Sequence, residues 1–261
     1  MVDAIDAEHS RETPSEHTDD TTSAPRLRDT WLLHKPQLLQ LLLAYVLLTA
    51  VWVGLGKLLT GPLKDGRIVD ADLRVAEDLA ADRTARWDDL TAVGTLLADT
   101  IVKIVATAII AAVMLAVWKR WREPLMMIVP LVLEAAAFIT ITVLVGRSRP
   151  AVERLEDSPV DSSFPSGHAA AAACYTALAI VIAWHTRRRW LAWLAAAALF
   201  AIPIAVGYAR MYRGMHFLSD VIAGVVLGIV SVLVSWIILR GAQEGPFRLR
   251  RPDHLHEPRR V

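Results

Sequence analysis

The sequence predicts an all-α polytopic membrane protein, a bundle of six transmembrane helices with an interfacial helix after the first span. Three observations carry that reading. Hydrophobic residues make up 54% of the 261 residues, and nine of the chain's residues are Trp. The apolar residues fall in long blocks rather than in an amphipathic repeat. Blocks near the roughly 20 residues that cross ~30 Å of hydrocarbon recur six times along the chain.

In chain order, residues 1–25 are polar, poor in aromatics and acidic, a composition that cannot bury enough apolar surface to fold. They predict a disordered cytoplasmic tail over 1–29, ahead of a six-span domain over 30–240 and a basic cytoplasmic tail over 241–261. No basic region followed by an apolar core opens the chain, so no cleavable signal peptide is expected and the first span directs insertion. That span is 38–59. Residues 60–95 alternate charged and apolar positions, with helical spacing over 70–90, which predicts the interfacial helix. The second span, 96–118, places Asp99 and Lys103 four residues apart on one helical face. The third, 125–146, carries Glu134. The fourth, 168–184, is short and rich in Ala, and the fifth and sixth are 190–208 and 217–239. Cys174, the one cysteine, falls in an apolar run, where a small buried side chain is expected and an intrachain disulfide is ruled out.

The formal net charge of +1 conceals an acidic start and a basic end with Arg248, Arg250, Arg251, Arg259 and Arg260. Orientation follows from the short loops. Lys119, Arg120 and Arg122, then Arg187 to Arg189, then Arg240 all fall on the side of both termini, making that side cytoplasmic. Residues 58–95 hold eight Asp or Glu against five Lys or Arg. The loop 147–167 and the residues around Arg210 therefore face outward together.

Polar clusters interrupt the apolar runs on that outer side. In Pro165-Ser166-Gly167-His168, Pro165 and Ser166 are start signals for the next helix, Ser166 is the expected cap, and Gly167 allows close backbone approach. A helix N-terminus offers unpaired N–H groups to an anion. The same turn is also what an ordinary capped helix with a chance histidine looks like. His216 and Asp220, four residues apart, share a helix face, where a carboxylate accepting one imidazole N–H leaves the other nitrogen as nucleophile or base. A capping cluster at the surface has the same spacing. Arg210 and Arg213, with Arg147 and Arg149, bring guanidinium forks that match phosphate oxygens, although arginines at span ends also serve as interfacial anchors.

Together these clusters resemble the lipid phosphate phosphatase superfamily, the type 2 phosphatidic acid phosphatases related to bacterial acid phosphatases and vanadium haloperoxidases. Its signature runs Lys-x6-Arg-Pro, Pro-Ser-Gly-His, then Ser-Arg-x5-His-x3-Asp. Arg149-Pro150, Pro165 to His168, and Arg210 with His216 and Asp220 match it in order and spacing. Thr142 stands where the family has Lys, and Ala209 where it has Ser.

The resemblance implies that His216 attacks phosphorus and forms a phosphohistidine, that Asp220 fixes its tautomer, and that His168 serves as general acid and then base. It implies phosphate binding by Arg149, Arg210 and the N–H groups of Ser166 and Gly167. Lys103 and Arg147 are the candidates to replace the charge missing at Thr142, with Arg213 a further accessory group. Lys103 pairing with Asp99 or Glu134 inside the bundle is the competing expectation. No cofactor, metal or nucleic-acid partner is implied. The implied substrate is a lipid phosphate (polyprenyl diphosphate, phosphatidic acid or phosphatidylglycerol phosphate), met among membrane lipids at the outer face of a plasma membrane. A non-catalytic lipid-phosphate-binding protein is the alternative that Thr142 and Ala209 leave open.

Overall fold

A computed structural model describes residues 33–96, 99–158 and 160–241. The tails expected over 1–29 and 241–261 lie outside the described residues, except Gly241, which ends α9. Among those described, every regular element is a helix: α1 (Lys35–Thr60), α2 (Arg67–Ala81), α3 (Ala85–Leu96), α4 (Thr100–Trp118), α5 (Arg122–Val145), α6 (Gly167–Cys174), α7 (Thr176–His185), α8 (Arg189–Tyr212) and α9 (Leu218–Gly241). With α6 and α7 taken as one run, Gly167–His185, six of these are long and apolar enough to cross a membrane. The expected six-span bundle is therefore the observed one.

Its details depart from expectation in three places. The single interfacial helix expected over 70–90 is two helices, α2 and α3. The break between them is held by the end of α8: Arg83 Nε donates to the Tyr212 carbonyl at 3.1 Å, and the Thr84 N–H donates to the Tyr212 hydroxyl at 2.9 Å. These tertiary bonds override a local pattern that would run on. The second span starts at Thr100, because Asp99 is the N-cap and accepts the Ile101 N–H at 2.9 Å. Asp99 thus precedes the helix instead of sharing its face with Lys103. The fifth span continues to Tyr212, four residues past its predicted end at 208, which places Arg210 inside the last turn of α8.

The α9 helix packs against α1, α5, α6 and α8. Its contact with α6 is made through small residues. Ala169 to Ala173 on α6 are completely buried. Facing them, a Cβ added at Gly224 would lie 2.3 Å from the Ser166 carbonyl oxygen, and one at Gly228 would lie 2.2 Å from that of Ala170. Small residues four apart let two helix backbones approach in lipid, where association depends on packing rather than on expulsion of water. A second tie is Trp52 Nε1, which donates to the Ala223 carbonyl at 2.9 Å and fixes α1 to α9. The faces turned away from these contacts are apolar and exposed, as at Leu39, Leu43, Ile101, Val143, Trp193 and Ile237, and suit a lipid environment.

Because the atom facing Gly228 is backbone, a side chain there cannot be accommodated by a rotamer change. Gly228→Ala is expected to destabilise the bundle by about 1–3 kcal/mol or more in detergent-solubilised unfolding. Gly54→Ala, at a position with nothing within 4 Å, is expected to be neutral or stabilising by up to about 1 kcal/mol. Equal stability of the two variants would show that the α6–α9 approach is not tight.

Candidate active site

Alternating helices bring four chain segments to one end of the bundle: the end of α5, the start of α6, the end of α8 and the turn into α9. The start of α4 joins them. Between them opens a cavity of about 370 Å³ lined by Lys103, Arg149, Gly167, His168, Arg210 and His216. The three motif clusters, far apart in sequence, do meet.

His216 is buried, and its Nδ1 lies 2.7 Å from the Ser163 carbonyl oxygen. A carbonyl only accepts, so Nδ1 carries the proton and Nε2 keeps its lone pair. Burial, reinforced by the Arg210 and Arg149 charges, holds the His216 pKa well below the ordinary histidine value. A neutral imidazole with a free Nε2 is the form needed for a nucleophile. The tautomer is thus set by Ser163 and not, as expected, by Asp220. The Asp220 carboxylate instead accepts the Phe217 N–H at 2.9 Å through Oδ2 and Arg147 Nη1 at 2.5 Å through Oδ1.

Arg149 is anchored by loop oxygens. Its Nη1 donates to the Met215 carbonyl at 2.5 Å, and its Nη2 donates to Ser158 Oγ at 2.8 Å and the Val160 carbonyl at 2.9 Å. Its Nε is buried without a partner. These neutral acceptors orient the guanidinium without cancelling its charge. Arg210 pairs with the Glu156 carboxylate, which also meets Arg213 Nε at 3.0 Å. The Arg210 Nε is likewise unpartnered.

The PSGH turn differs from expectation in two respects. Ser166 holds the N-cap position of α6, but its side chain makes no cap bond and its Oγ has no partner. Its N–H donates to the Asp220 carbonyl at 3.0 Å, so it is spent on α9 rather than held for an anion. Gly167 does what was expected of it: a Cβ there would sit 2.7 Å from the Phe138 ring.

The accessory candidates separate clearly. Lys103 lines the cavity, and among the described residues its ammonium has neither a hydrogen bond nor an ion pair. It does not pair with Asp99, and both Glu134 oxygens are buried without partners. Arg147 does not line the cavity; its fork is filled by Asp72 at 2.8 Å and Asp220, and it lies over the Phe217 ring at 4.4 Å. Arg213 is taken up by Glu156 and by the Leu155 and Asp88 carbonyls. Thr142 is buried one turn before the end of α5, with its hydroxyl unpaired. Arg147, Arg213 and Thr142 are therefore removed from the set that faces an anion in the cavity.

Three participants were not foreseen: Asp72, Glu156 and the Ser163 carbonyl. The first two are single carboxylates in charge-rich stretches, and backbone oxygens carry no sequence signal. Among the described residues no group of three His, Cys, Asp or Glu side chains is placed to hold a metal ion. Two imidazoles, a helix N-terminus and three cations around one space suit a tetrahedral oxyanion such as phosphate.

The family model that matches the chain is that of the PAP2 superfamily, over residues 124–244. The chain is 35% identical over 88 residues to the bacitracin transport permease protein BcrC of Bacillus licheniformis, covering 33% of this chain and 39% of that one. It is 33% identical over 94 residues to phosphatidylglycerophosphatase B of Bacillus subtilis (strain 168), covering 34% and 43% respectively. It thus spans less than half the length of these curated relatives. In fold it is similar to the crystal structure of the transmembrane PAP2 type phosphatidylglycerolphosphate phosphatase from Bacillus subtilis. That alignment has a TM-score of 0.63 and 23% identity over 81% of this chain and 98% of the other.

The charge state of His216 can be measured. With the folded pKa depressed, the native protein binds fewer protons at this site than the unfolded chain, so the associated stability is present above about pH 6.5 and is lost as pH falls below it. In histidine-labelled NMR spectra, the imidazole signal that vanishes in His216→Asn is expected to remain that of the neutral form at pH 6. A midpoint at or above the ordinary value would contradict the burial argument.

Proposed function

We propose, with the PAP2-superfamily region at residues 124–244 as the premise, that this integral membrane protein is a lipid phosphatase working through a phosphohistidine. The observation that carries the reading is His216 Nε2, a free lone pair at a cavity it shares with His168, Arg149 and Arg210. In the first step Nε2 attacks phosphorus in line while the bond to the lipid oxygen breaks, and His168 gives that oxygen a proton. In the second, His168 takes a proton from water, which attacks phosphorus and releases inorganic phosphate and free His216. Arg149, Arg210 and the Gly167 N–H stabilise the equatorial oxygens, which is most of what phosphoryl transfer requires. Asp220 serves from behind the site, through Arg147 and the Phe217 N–H. Lys103 supplies the charge that Thr142 lacks.

A cavity at one end of a spanning bundle suits a phosphate head at the interface with its tail in lipid. Polyprenyl diphosphate, phosphatidic acid and phosphatidylglycerol phosphate all have that form, and the name of one relative points to the last. The basic loops at Lys119 to Arg122 and Arg187 to Arg189 support cytoplasmic termini and an outward site. Thr142 and Ala209 favour one other reading, a protein that binds lipid phosphates without turning them over.

Purified protein is expected to release phosphate from at least one of these lipids. His216→Ala should abolish release, and His168→Ala should reduce it by about 10²-fold or more. Lys103→Met should lower kcat/KM by about 10- to 100-fold. Equal activity of wild type and His216→Ala would end the phosphatase reading, and saturable binding without release across the panel would establish the binding protein instead. Lys103→Met at wild-type activity would return the question of the missing charge to the rest of the cavity.

A further inference from the structure

Helix α2 carries four carboxylates, of which Asp70, Glu77 and Asp78 are exposed. Asp72 differs: only 2% of its surface is exposed. It faces the start of α9. Its Oδ1 accepts the Ser219 N–H at 2.9 Å, and its Oδ2 accepts the Ser219 hydroxyl at 2.5 Å and Arg147 Nη2 at 2.8 Å. Arg147 Nη1 then donates to Ser219 Oγ at 2.7 Å and to Asp220 Oδ1 at 2.5 Å. One guanidinium is thereby shared by two buried carboxylates that come from opposite ends of the sequence.

From this network we infer that Asp72 is a positioning residue of the cavity, acting through Arg147 and Ser219 to hold the 216–220 turn that presents His216 and aims the Asp220 carboxylate. The physical case is one of buried charge. Arg147 is nearly inaccessible to water, so each arm of its fork must find an acceptor in the protein. With Asp72 present the two arms diverge, one to each carboxylate, and that divergence fixes the angle at which Asp220 is held. Without it the fork is free to turn toward Asp220 alone, and the turn that begins at His216 loses both the bond on its Ser219 N–H and its lateral support. Small displacements of this kind matter most to the transition state, where reacting groups must be aligned. The interfacial helix thereby becomes part of the site's framework rather than a surface decoration.

The inference rests on the phosphatase reading for its kinetic readout, not for its geometry. In the full-length protein, Asp72→Asn is expected to lower kcat about 10- to 100-fold while KM changes by less than about threefold. In an Asp220→Asn background the same substitution is expected to cost less than about threefold more, because the group it acts through is already altered. A residue that merely fastens α2 to the bundle would lower thermal stability while leaving kcat unchanged; that result, or effects of the two substitutions that multiply, would overturn the inference. Should Asp72→Asn fail to fold, Ser219→Ala removes only the hydroxyl between Asp72 and Arg147. It is expected to lower kcat about 3- to 10-fold, and an unchanged kcat overturns the inference equally. If the wild-type protein turns over no lipid phosphate, the phosphatase reading fails on its own, and calorimetry with orthovanadate decides. Asp72→Asn, or Ser219→Ala in its place, is then expected to weaken vanadate binding about tenfold, and equal affinity would refute the positioning role.

Discussion

The approach of α6 to α9 through alanines and glycines is the constraint on which the candidate site depends. With Gly224 against the Ser166 carbonyl and Gly228 against that of Ala170, the two backbones have one register in which they fit. That register brings the Ser166 N–H to the Asp220 carbonyl at 3.0 Å. His168 lies two residues beyond the first group and His216 four residues before the second. The spacing between the two imidazoles is therefore inherited from a helix–helix contact rather than arranged by loops. In a membrane this contact must come from packing, since lipid gives no hydrophobic push between helices. The unbroken run of alanines in α6 is the sequence's provision for it.

The loop between α5 and α6 is tied to that frame by its own backbone. The Ser163 N–H donates to the Arg147 carbonyl at 2.8 Å, Ser163 Oγ donates to the Ser148 carbonyl at 3.0 Å, and the Ser163 carbonyl faces His216 Nδ1. A carbonyl in this role fixes the imidazole's tautomer without supplying a full negative charge. This agrees with the depressed His216 pKa: a carboxylate in contact would raise it, whereas burial and two arginines lower it. The result is a nitrogen that stays unprotonated beside cations, a combination suited to an anion.

Much of the architecture was legible because membrane helices obey a simple length rule: six apolar blocks became six spans, displaced mainly at their ends. The ends moved where a tertiary partner acted. Arg83 and Thr84 split one predicted helix through bonds to Tyr212, and Asp99 left its predicted helix to cap it. In the site, His168, His216, Arg149, Arg210 and Gly167 were legible as a motif with fixed spacing, and Lys103 as an ionisable residue in an apolar span. The function of Arg147 was not legible, because its two partners, Asp72 and Asp220, lie 75 and 73 residues away. The Gly224-x3-Gly228 spacing gains its meaning only against the alanines of α6. Ser163 acts through its carbonyl oxygen, which every residue possesses.

The cations around the cavity differ in how far each is available to a phosphate. Arg147 is matched by two carboxylates and stands outside the cavity. Arg210 is matched by Glu156, which it shares with Arg213, so a phosphate reaching Arg210 meets a carboxylate already there and must compete with it. Arg149 is held by neutral oxygens, one hydroxyl and several carbonyls, and is in no ion pair among the described residues. The Lys103 ammonium has no hydrogen bond or ion pair among the described residues. Among the described residues, the cations at the cavity that form no ion pair are therefore Arg149, from the loop after α5, and Lys103, from α4. A lysine rising from position 142 would start from within α5, where Thr142 is buried. Lys103 lines the cavity from α4, a different helix from the one that carries Thr142.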